Sequence, residues 1–65
     1  MGSASDHLRT AEVHDETAQR HAEAAECWAA RGDETRAEFE RWNASFARLT
    51  AELERTRAAR TPLTA

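Results

Sequence analysis

The stretch FERWNASFARLTAELERT, residues 39–56, decides the fold of this chain. Within it Phe39, Trp42, Phe46, Leu49, Leu53 and Thr56 stand three, four, three, four and three residues apart. That alternation keeps step with the α-helix and draws a narrow apolar seam along one face. It is the pattern of a helix that lies lengthwise on another helix.

Working outward, the helical phase extends back to Glu34 and on to Arg60, with Arg55, Arg57 and Arg60 near the negative end and Pro62 as a stop. Upstream, Arg31-Gly32-Asp33 is the one break. Gly32 suits the left-handed position that closes a helix, and Asp33 suits the cap that opens the next. Before the break, Asp6 to Ala30 contains neither Pro nor Gly, with Ser3 or Ser5 as candidate caps and Asp6 in the first turn. Each helix comes to roughly 25 residues, about 38 Å at the usual rise. So short a connection makes them antiparallel neighbours. The sequence thus predicts an all-α, coiled-coil-like helical hairpin as one domain over 1–65, with helix one at about 6–30, the turn at 31–33 and helix two at about 34–60.

Folding the chain about Gly32 sets residues whose numbers sum to 63 or 64 opposite one another. Ala25 then faces Phe39, Ala18 faces Phe46 and Ala11 faces Leu53. Between these layers Trp28 meets Thr35, His21 meets Trp42, His14 meets Leu49 and His7 meets Thr56. Small residues against large ones fill space without voids. Two helices still leave Phe39, Trp42, Phe46 and Trp28 partly wet, and a row of exposed large apolar side chains predicts association. Two hairpins paired into a four-helix bundle, as a two-fold dimer, is the economical expectation. The expected core and interface are Ala11, His14, Ala18, His21, Ala25, Trp28, Phe39, Trp42, Phe46, Leu49, Leu53 and Thr56.

Length and composition agree with a need for a partner. A chain of 65 residues rarely builds a core that holds alone, and Leu, Ile, Val and Phe together number only seven. Net charge is a modest −3 with acids and bases intermixed, which argues against a disordered chain. All nine basic residues are Arg, the mark of a GC-rich genome. Cys27 is the only cysteine, so no intrachain disulfide forms and a reducing compartment fits. No apolar run reaches membrane-spanning length and no basic-then-apolar leader opens the chain, so the expected location is the cytoplasm.

His7, His14 and His21 recur at intervals of seven, with Trp28 next in the series. Ligands on one helix share an ion only at three or four residues, whereas seven span about 10.5 Å. No carboxylate stands at those spacings, so a metal would draw ligands from another helix: His14 with its two-fold mate, or His7 with His21 of a partner. The plainer expectation is partly buried packing histidines, each with a neighbour such as Thr56. If burial favours the neutral imidazoles in the fold, such a bundle is expected to loosen in mild acid. Cys27 reads as a semi-buried, inert thiol. There is no Gly-rich phosphate loop and no nucleophile beside a base and an orienting acid. Glu52 and Glu54 interrupt the local run of arginines, which leaves no nucleic-acid footprint.

Around the turn, Ala25, Trp28, Gly32, Asp33, Ala37 and Ala44 resemble the helix-turn-helix signature of a tetratricopeptide repeat, over about twenty residues. The chain carries one such unit, its helices are nearly twice as long, and Glu34 and Thr35 stand where the repeat has an aromatic. As a whole it resembles small Ala- and Arg-rich hairpin proteins of GC-rich bacteria. The functional expectation is a small, non-enzymatic, cofactor-free self-assembling protein acting in protein–protein interaction, with neither nucleic acid nor membrane as partner. The alternatives are a metal- or pH-responsive bundle using the histidine row, and an adaptor docking on another protein's helices.

Overall fold

In the computed structural model, which describes residues 2–62, the chain forms α1, Ala4–Ala30, and α2, Glu34–Arg60, packed side by side as a hairpin. The first helix begins slightly before the expected Asp6 because Ser3 is the cap. The Ser3 hydroxyl accepts from the Asp6 backbone N–H at 3.1 Å, and the Asp6 carboxylate accepts from the Ser3 N–H at 3.2 Å. This reciprocal pair satisfies two of the amide donors a helix start leaves orphaned.

The turn satisfies the opposite end. The Gly32 N–H donates to the Ala29 carbonyl at 2.9 Å and the Asp33 N–H donates to the Trp28 carbonyl at 2.9 Å. These are the two bonds of a Schellman closure, which requires a left-handed residue. Gly32 supplies it with φ +81°. Asp33 then caps α2 by accepting from the Arg36 N–H at 3.1 Å. A methyl at Gly32 meets nothing within 4 Å, so only the backbone conformation opposes substitution. Gly32→Ala is expected to cost about 1–2 kcal/mol by the left-handed penalty alone, and a thermal melt against wild type checks it.

The packing register corrects the one expected from sequence. The Nδ1 atoms of His7 and His21 lie 2.7 Å from the carboxylates of Glu54 and Glu40, which sets opposite each other residues whose numbers sum to 61. The buried residues of α1 are Ala11, Ala18 and Ala25, and the buried row of α2 is Ala37, Ala44, Ala51 and Ala58, flanked by Ala47 and Glu54. Both rows run at intervals of seven, and Ala25 with Ala37, Ala18 with Ala44 and Ala11 with Ala51 each sum to 62. Alanine therefore faces alanine. Moving from the expected register to this one advances α2 by about two residues, and at 100° per residue that turns it by roughly 200°. Phe39, Phe46 and Leu53, expected opposite the alanines, are carried to the outside. Trp42, Leu49 and Thr56, expected opposite histidines, go with them and are also exposed.

This register wins for two physical reasons. Methyl groups on both sides let the backbones approach closely, which bulky rings on either side would prevent. It also delivers two carboxylates to two imidazoles. The cost is a thin core, with no large side chain fully buried among the described residues. A buried methyl stabilises by about 0.8 kcal/mol, against roughly 1.5–3 for a Leu or Phe. The accessible surface of 5046 Å² is correspondingly large for 7.3 kDa, where a compact monomer of that mass would show about 4200 Å². Neither described helix is long and apolar enough to cross a membrane.

Candidate functional site

Two features stand apart from the alanine seam: an apolar stripe on the back of α2 and a pair of histidine–glutamate contacts along the seam's edge. In the stripe, Phe39 is 67%, Trp42 73%, Phe46 73%, Leu49 60% and Leu53 52% exposed. At 100° per residue the mean direction of these side chains lies about 160° from that of the alanine seam. The stripe consequently points almost directly away from α1. Thr35 and Thr56 continue it at either end, and near the turn Glu34, Thr35, Glu38, Phe39 and Trp42 line an open apolar groove. The outer face of α1 is polar by contrast, with Leu8 and Val13 as its exposed large apolar residues.

Trp28, expected in the core, is half-buried at the hairpin tip instead. The guanidinium groups of Arg31 and Arg36 lie 5.3 and 4.6 Å from its ring centroid, so cations cover part of the ring where apolar packing was expected. Cys27, expected to be semi-buried, is exposed.

The histidine row splits. His7 and His21 are half-buried, each bonded to a glutamate of α2, while His14 between them is level with buried Ala47. Thr56 is no partner to any of them, since its hydroxyl donates to the Glu52 carbonyl at 3.0 Å. Among the described residues no three His, Cys, Asp or Glu side chains converge on a point where an ion would sit. Glu40 and Glu54 are the residues that sequence reasoning missed. They stand fourteen apart, as do His7 and His21, and that matched spacing is the signal that would have found them.

The Glu54 carboxylate accepts from His7 at 2.7 Å and from Arg57 at 2.8 Å. The His7 hydrogen bond, aided by the positive charge of Arg57, holds this carboxyl below the ordinary glutamate range, against the opposing effect of desolvation. Asp15 is held low by its hydrogen bond from Arg55 across the hairpin, at 2.8 Å, and Asp6 by the Ser3 cap. A carboxyl with a depressed folded value stabilises the fold above its unfolded value and loses that contribution as pH falls through the folded one. The window lies below about pH 4. The melting temperature is therefore expected to drop from pH 4 to 3, and Glu54→Gln to flatten that drop.

No protein-family model, curated protein or solved structure matches this chain.

Proposed function

We propose that this chain is a non-enzymatic assembly protein that binds through the back of α2 to a second apolar helical face. The observation carrying this reading is the line of five large, exposed apolar side chains from Phe39 to Leu53. Isolated exposed apolar residues are ordinary, but a contiguous row at heptad spacing along about four turns is the signature of an interface. The hairpin's own seam uses its alanines and leaves every large apolar side chain of α2 to this outer row.

The simplest partner is a second copy. The assembly is then of four helices, but the near-opposite directions of the two seams give it a layered form. The two α2 helices lie back to back in the middle, and each α1 lies outside. A square bundle would need the two seams about 90° apart. The chain takes part in protein–protein interaction with no chemistry of its own. A cytoplasmic setting fits its single, exposed thiol.

Sedimentation equilibrium at 1–100 μM tests the reading. The expected result is a concentration-dependent mass approaching twice 7.3 kDa. A strictly monomeric, helical protein across that range would overturn self-association.

A further inference from the structure

Resting on that self-association, we infer that the two α2 helices pair antiparallel about a two-fold axis midway between Phe46 and Leu49, with Phe39 against Thr56 of the other copy, Trp42 against Leu53 and Phe46 against Leu49. The spacing of the stripe is itself the first argument. Three, four, three, four, three reads the same in both directions, so reversal maps the stripe onto itself. All three pairs share the sum 95, and at that sum each of the six residues finds a partner within the stripe. Sliding the pairing one heptad toward the turn brings in Thr35 but sets Trp42 against Phe46 of the other copy, ring on ring. Sliding it the other way leaves Phe39 and Trp42 with no stripe partner.

Size supplies the second argument. Antiparallel pairing sets each ring against an aliphatic or smaller side chain, which keeps the helix separation even along the interface. Parallel pairing stacks Phe39, Trp42 and Phe46 on their own copies at one end and Leu49, Leu53 and Thr56 on theirs at the other. The helices would then splay at the ring end and leave voids at the opposite one.

Area and charge agree. With about 150–250 Å² per large side chain, the exposed parts of the stripe amount to roughly 600–700 Å² per copy, close to the ~800 Å² per partner of a stable dimer. The flanking positions nearest the two-fold axis are Asn43, Ser45, Thr50 and Glu52, and Glu52 falls opposite Asn43 of the other copy, so no like charges face each other there.

Distances between nitroxide labels, measured by pulsed dipolar spectroscopy, test this on the full chain with Cys27→Ser. Labels are placed singly at Ser45→Cys and Glu38→Cys, both exposed positions beside the stripe. In the antiparallel pairing the two copies of position 45 differ by five residues along the axis, about 8 Å, and those of position 38 by nineteen, about 28 Å. The expected result is a short distance at 45 and one beyond about 30 Å at 38. Short distances at both positions overturn the antiparallel pairing while leaving self-association intact. No dipolar coupling at either position, with a monomeric mass, overturns self-association itself and the pairing with it.

Discussion

Ala44→Leu is expected to lower the melting temperature of the hairpin by 10–20 °C, the largest loss of any single substitution in the seam. Ala44 is 2% exposed and sits mid-way along the buried row of α2, level with Ala18, which is equally buried. Three added carbons have nowhere to go without prying the helices apart. Overpacking typically costs 1–3 kcal/mol, and a small domain moves by about 4–8 °C per kcal/mol. Separation at one layer also strains the His21–Glu40 bond about one turn away. Helix propensity offers no compensation, because Leu and Ala are both good formers. Phe46→Ala is the matched contrast. In the register read from sequence Phe46 is core and its truncation would cost about 3–5 kcal/mol, while Ala44 would lie on the surface. In the observed register the order reverses. Melts followed by circular dichroism at the lowest practicable concentration, where association contributes least, separate the two. A harmless Ala44→Leu beside a collapsing Phe46→Ala would refute the alanine seam.

That contrast also locates what was legible in the sequence. The hairpin was, because Gly32 and Asp33 announce the turn and uninterrupted helical phase runs on both sides of it. The α1 alanines Ala11, Ala18 and Ala25 were expected to be covered, and they are buried. Their partners were misassigned. Residues 34–60 carry two heptad rows, one of alanines and one of large side chains, and the sequence pattern alone favours setting the larger row against α1. The hydrophobic pattern shows that both rows exist but not which faces inward. That choice depends on how closely two backbones approach and on ion contacts across the seam. The His7–Glu54 and His21–Glu40 bonds cross 47 and 19 residues of sequence, and only a register fixed in advance makes them visible. The heptad spacing makes the apolar stripe legible, but not that it faces away from α1.

Replacing both Trp42 and Phe46 by Glu is expected to raise the dimer dissociation constant by about a thousandfold or more while leaving the alanine seam untouched. Aromatic anchors near the middle of an interface commonly cost 2 kcal/mol or more when removed. Two such losses per copy, doubled by the two-fold axis, exceed the roughly 4 kcal/mol that a thousandfold change requires. The four new carboxylates in the interface add repulsion and desolvation on top. Both side chains are 73% exposed in the single hairpin and make no part of its buried row, so the intrachain packing has no direct stake in them. Val13→Glu, also on an exposed apolar residue but on α1, is the control and should leave the mass unchanged. Linkage provides a second readout. Binding restricted to the folded state makes the wild-type melting temperature rise with concentration, and the doubly substituted chain should lose that dependence. If the variant still sediments as a dimer, copies meet through another surface and the stripe is left for a different occupant. If Val13→Glu dissociates the dimer as effectively, the interface lies on α1. Either outcome removes the back of α2 as the site of self-assembly, because the reading requires that the large side chains left out of the hairpin be the ones that hold two hairpins together.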